Sequence, residues 1–229
     1  MPALAASSAL RSFGARVAER LDNALRGRTS EIALPTLLTA LLCFGLFYGG
    51  VMGAFTGVWE GKPLQLLYSA LKVPLLLGIS FVIALPSFFV LNTLLGVRED
   101  FREALRAVAG AQATLTIVLA SLAPLTLWFY ASTTNYDQAV LWNGLMFLLA
   151  AAAAQFALRR SYRPLIARNK RHRVLMWAWG ACFAFVGIQA AWVLRPFIGK
   201  PDEPVQFFRE TMWGNAYVQI IEKIVQAMS

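Results

Sequence analysis

The chain has 229 residues, 58% of them hydrophobic, and a formal net charge of +9 at pH 7. Such a composition excludes a soluble globular domain, and several spans of about 20 residues would use much of the length. The cations lie in short segments beside apolar runs, where they meet anionic lipid headgroups, so nucleic acid is not an expected partner.

Residues 1–30 come first. Leu4, Leu10, Phe13, Val17, Leu21 and Leu25 recur at helical intervals, with Arg11, Arg16, Glu19, Arg20, Asp22 and Arg26 between them. This pattern predicts an amphipathic helix on the inner leaflet; the blander alternative is a leader helix packed against loops. No short apolar core with a small-residue cleavage site precedes the first long apolar run, so no cleavable signal peptide is expected.

Next come five apolar runs, near residues 33–55, 71–95, 107–131, 136–158 and 174–195. Each is long enough for a bilayer core of about 30 Å. The expected fold is all-α: a polytopic transmembrane bundle over 31–198, with no separate globular domain.

The first run carries Gly45, Gly49, Gly53 and Gly57, then Gly61 beyond it. Spacing of four puts them on one helical face, where another backbone can approach closely. That face is either an oligomer interface or a contact with another span of the same chain. Ala150 to Ala154 in the fourth run offer the obvious internal acceptor.

Prolines interrupt the second run at Pro74 and Pro86 and the third at Pro124. Each removes a backbone donor and bends a helix. Broken helices line substrate sites in transporters, but more often they only shape the bundle. With Lys72 counted at the outer edge, no Asp, Glu, His or Lys lies between the headgroup levels. Ionisable groups there mark ion and proton pathways, so their absence speaks against a proton-coupled pump. The polar residues that remain include Ser80, Asn92, Gln112, Thr114, Thr116, Ser121, Asn143, Gln155 and Gln189, expected to bond helix to helix. No Ser/His, paired Asp or His-Glu-x-x-His arrangement points to an intramembrane enzyme. No metal site or cofactor is expected. Cys43 and Cys182 fall inside apolar runs, where a thiol behaves as a small hydrophobe.

Charge gives the orientation. Fifteen of the 21 Lys and Arg residues fall before the first run and in the second and fourth connections, including seven in the stretch 159–173. The positive-inside rule then puts the N-terminus in the cytoplasm and the C-terminus outside. Arg168, Lys170, Arg171 and Arg173 are candidate contacts for anionic headgroups or an acidic partner. His172, among these cations, is expected to be a solvated loop residue. Glu99, Asp100 and Glu103 would form helical salt bridges with Arg98, Arg102 and Arg106. If they faced a pocket instead, an enzyme would gain weight.

The last run closes on Trp192-Val193-Leu194-Arg195-Pro196-Phe197. Arg195 can snorkel with Trp192 as an interface anchor, or hold an acidic group of a lipid or partner. The tail 199–229 opens on the turn Gly199 to Pro204. Val205, Phe208, Met212, Ala216, Ile220 and Ile224 then share one face of an amphipathic outer segment too polar to span.

The second run also carries Lys72-Val73-Pro74-Leu75-Leu76-Leu77, Ala84-Leu85-Pro86 and Asn92-Thr93-Leu94-Leu95-Gly96. With five spans and a cytoplasmic N-terminus, this texture resembles bacterial members of the Yip1-like membrane protein family. The Asp-Leu-Tyr-Gly-Pro segment of eukaryotic relatives, associated with small-GTPase contacts, does not occur in this sequence. The resemblance therefore implies the bundle and a bacterial inner-membrane location rather than a trafficking role. The expectation is a non-enzymatic accessory or scaffold subunit that works through lipids and other membrane subunits, or through copies of itself. The alternative is a small transporter or the permease subunit of an exporter. Its path would be lined by Asn92 and Gln112.

Overall fold

The computed structural model describes residues 19, 22, 32–58, 61–200 and 202–208. The amphipathic segment expected over 1–30 and the tail beyond Phe208 therefore lie outside the described residues.

Among the described residues five long helices form the bundle: α1 (Leu34–Gly57), α2 (Pro63–Leu94), α3 (Phe101–Ser132), α4 (Tyr136–Arg168) and α5 (Arg171–Val193). All five are long and apolar enough to cross a membrane. Local chemistry sets their ends. Proline occupies the first turn of α1 and of α2, where its missing N–H costs nothing. The Asn135 side chain caps α4 by accepting from the Gln138 N–H. Gly96, at φ +68°, turns the chain from α2 into a short 3₁₀ turn (Arg98–Asp100) ahead of α3.

Three helices outrun the bilayer. α2 and α3 have 32 residues each and α4 has 33, about 48–50 Å at 1.5 Å per residue. The basic stretch 159–173 is consequently not a loop. α4 runs to Arg168, and only Asn169 and Lys170 separate it from α5. α2 and α3 continue as helices through Pro74, Pro86 and Pro124.

Neighbouring helices follow the order α5–α2–α1–α3–α4, and α4 and α5 meet sparingly. The tightest junction is α1 on α2. A methyl group at Gly49 would lie 2.8 Å from Ala70 Cα, and one at Gly53 only 2.7 Å from Ser69 Cβ. Gly45 faces Pro74, and Gly57 faces Leu66. The glycine face is therefore occupied within the chain, and its acceptor is α2 rather than Ala150 to Ala154. Small size decides this: Ser69 and Ala70 let the two backbones close, as glycine does on the other side.

Two ends result. The basic end gathers the start of α1, the α2–α3 turn and the α4–α5 turn. At the opposite, return end, the chain leaving α5 folds back across α1 and α2.

Candidate functional sites at the two ends of the bundle

At the return end, α2 presents Gln65, Ser69 and Lys72 at spacings of four and three, one polar stripe on one helical face. All three are buried. The Lys72 ammonium donates to the Pro196 carbonyl and lies 5.0 Å from the centre of the Phe207 ring. Gln65 Nε2 donates to the Phe197 carbonyl at 3.1 Å, and Ser69 Oγ donates to the same oxygen. From α1, Thr56 Oγ1 donates to the Gly199 carbonyl at 3.0 Å. Gly199 has φ +76°, a conformation that favours glycine, and a methyl group there would lie 2.7 Å from the end of the Gln65 side chain. Lys72 is thus not an edge residue. It sits inside a candidate span, its charge satisfied by a main-chain carbonyl and a ring face. Tyr68 packs edge-on to Phe207 in the same patch.

Beside this clamp lies a cavity of about 640 Å³. Its walls come from Met52, Leu76, Val140, Phe147 and Ala191, and its rim includes Asp137, Arg195, Lys200 and Glu203. The Arg195 guanidinium stacks 3.4 Å above the Trp192 ring. Lys200 and Glu203 form an ion pair at 2.7 Å.

Inside the bundle, one polar network crosses helices. Asn143 of α4 donates to Tyr130 of α3 and accepts from Tyr48 of α1 at 3.2 Å; Tyr130 donates to the Met52 carbonyl. The expectation of helix-to-helix bonds holds for Asn143. Ser80, Asn92, Thr114, Thr116 and Ser121 instead donate to carbonyls of their own helices, three or four residues back. Asn92 and Gln112 are buried, and neither lines the return-end cavity.

At the basic end the acidic residues do not use the arginines of their own helix. Asp100 accepts from Arg168 Nη1 at 2.9 Å and faces His172 Nε2 at 2.9 Å, while Glu103 pairs with Arg168 Nη2. His172 is fully buried, with its ring edge toward Tyr162, which replaces the solvated loop position expected for it. The sequence neighbours of His172 are cations, but its spatial neighbour is a carboxylate. Arg171 donates to the Leu95 carbonyl at 3.0 Å, tying the start of α5 to the α2–α3 turn. Arg168 and Arg171 are therefore engaged within the chain, whereas Lys170 and Arg173 are exposed. Glu99 and Asp100, with Arg98, Arg168 and Asn169, border an open depression of about 690 Å³. Among the described residues, no three His, Cys, Asp or Glu side chains converge as metal ligands.

Sequence reasoning missed the Lys72 stripe and the Asp100–His172 pair. The stripe had a signal, since polar residues at spacings of four and three break an otherwise apolar helix face. The pair had none, because 72 residues separate its members. The chain matches no protein-family model, no curated protein and no solved structure.

Proposed function

We propose that this chain is a non-enzymatic integral membrane subunit that holds its C-terminal segment at a fixed place for another membrane component. The observation that carries the reading is the clamp on residues 194–208. A buried ammonium, a buried amide and two buried hydroxyls are spent on main-chain oxygens of a segment that plays no part in crossing the membrane. Buried polar groups are costly unless fully paired, so such a clamp serves positioning. Beyond Phe208 the sequence carries apolar residues at helical spacing, suited to docking along a partner. By the distribution of Lys and Arg, the basic end faces the cytoplasm and the return end faces outward. The exposed Lys170 and Arg173 then meet anionic headgroups. A bacterial inner membrane and a relation to Yip1-like proteins belong to the same proposal, through the texture of α2.

The test is capture of the full chain from native membranes in mild detergent, beside a chain ending at Phe208. A second membrane protein recovered in a fixed ratio with the full chain, and lost with the shortened one, supports the reading. Recovery of the full chain only as a monomer or homo-oligomer overturns it.

A further inference from the structure

We propose that the seam between α4 and α5 at the basic end binds one phospholipid that carries two phosphate groups, a cardiolipin-type headgroup, with its acyl chains running along the two helices. The proposal rests on the reading that the basic end lies at headgroup level, and it names the lipid class that meets it there. It needs no partner subunit, so it stands or falls independently of the capture experiment above.

Arg159 and Arg163 stand four residues apart on α4, and Lys170, Arg173 and Trp177 follow at spacings of three and four into α5, so each set shares one helical face. The Arg159 guanidinium lies 5.1 Å from the centre of the Trp177 ring, which brings the two faces together across the seam. Arg159, Arg163, Lys170, Arg173 and Trp177 are all exposed. A crossing of about 20 residues from Tyr136 ends just short of Arg159. The contact of Arg159 with Trp177 therefore marks the level where the seam leaves the apolar core, and the other cations lie beyond it. Phe156, one turn before Arg159, and Ala181, one turn after Trp177, are exposed and apolar. They give acyl chains a path along the seam, which α4 and α5 leave open by meeting sparingly.

Charge selects the headgroup. None of Arg159, Arg163, Lys170 and Arg173 forms an ion pair among the described residues, where Asp100 and Glu103 are taken by Arg168 and His172. No acidic residue occurs in the sequence from Gln138 to Val193. The furrow thus carries two cations on each wall and no counter-charge on either helix at this level. A single phosphate satisfies one wall and leaves the other unmatched, whereas two phosphates on a short linker satisfy both. Arginine takes phosphate through paired N–H donors, and Lys170 supplies a point charge. Basic pockets between spans at headgroup level suit lipids of this kind. A zwitterionic headgroup would bring an ammonium to walls that offer it no carboxylate.

Stripping one wall of charge tests this. The full chain would be placed in nanodiscs holding cardiolipin and phosphatidylglycerol at equal phosphate, extracted into mild detergent, washed, and its retained lipid quantified by mass spectrometry. The wild type is expected to keep about one cardiolipin per chain and little phosphatidylglycerol. Arg159→Gln with Arg163→Gln removes the α4 wall while keeping good helix formers, and should lower cardiolipin retention at least about tenfold. Lys170→Gln with Arg173→Gln removes the other wall, a second variant should the first fail to fold. Arg102→Gln with Arg106→Gln takes the same charge, at the same spacing, from exposed positions of α3 at the same end. That control should keep the lipid. Retention of no cardiolipin by the wild type, retention of phosphatidylglycerol in equal measure, unchanged retention in both seam variants, or a matching loss in the α3 control would each overturn the proposal.

Discussion

The two ends of this bundle solve one problem with different chemistry. Each must tie three or more helices together where the apolar core runs out. At the basic end the ties are mainly charged side chain to charged side chain, across α3, α4 and α5. At the return end they run from side chains to main-chain carbonyls, from α1 and α2 to residues 194–208. Exposure separates the two further. The Arg168, Asp100 and Glu103 side chains are 50%, 24% and 34% exposed, whereas Lys72 is fully buried. A tie open to water is weakened by screening and by the entropy of holding long side chains. A buried tie is costly to break, because the orphaned partner keeps its desolvation penalty. The return end should therefore be the rigid one, and the basic end the one that responds to solution conditions.

Lys72→Ala should give the largest effect and test the rigid half of that comparison. It strands the Pro196 carbonyl and removes a packed aliphatic stem, together about 3 kcal/mol. The loss is expected to be local, releasing residues 194–208 while α1–α5 stay packed. Chymotrypsin cleavage after Phe197 should then rise about 100-fold, as 1.4 kcal/mol per decade implies. Unchanged cleavage would show that Gln65, Ser69 and Thr56 hold the segment without the ammonium.

Asp100→Asn comes next and probes the responsive half. It removes the charge that faces both Arg168 and His172 while keeping size and one acceptor oxygen. Thermal stability in detergent should fall by less than in a globally destabilised core variant, and the difference from wild type should shrink in about 1 M salt, where the Debye length is ~3 Å. A salt-independent loss would mean that the buried His172 contact, and not the exposed arginine pair, dominates. The ends would then be more alike than their exposures suggest.

Legibility in the sequence divides along the same line. The five spans were readable because apolar length is a local property, and Gly45 to Gly57 announced a close helix contact through their spacing. The identity of the partner, α2, was not readable, since many faces in an apolar chain offer small residues and Ala150 to Ala154 stood out as the acceptor where Ser69 and Ala70 fill that place. Helix ends were misplaced where charge was taken as a loop signal. Arg159, Arg160 and Arg163 continue α4, because arginine is a good helix former once the bilayer is left behind. The clamp was hidden for another reason: its acceptors are carbonyls of residues 196, 197 and 199, and every residue carries one. His172 was misread because its sequence neighbours are cations, whereas its fold neighbour Asp100 comes from another part of the chain.

Arg168→Lys should produce the smallest effect and sharpens the comparison most. Arg168 reaches Asp100 with one nitrogen and Glu103 with another, so a single planar fork spans two carboxylates three residues apart. Lysine offers one ammonium of the same charge and can address only one of them at a time. If fork geometry carried the tie, this change would approach Asp100→Asn in effect. If the tie is mainly the attraction of a half-exposed cation to two carboxylates, the charge is retained and little is lost. The 50% exposure favours the second outcome, with a melting temperature within about 1–2 °C of wild type. Scanning fluorimetry on the same detergent preparation would measure it. A larger drop would mean that the basic end, like the return end, depends on fixed hydrogen-bond geometry, and the contrast between the ends would rest on exposure alone.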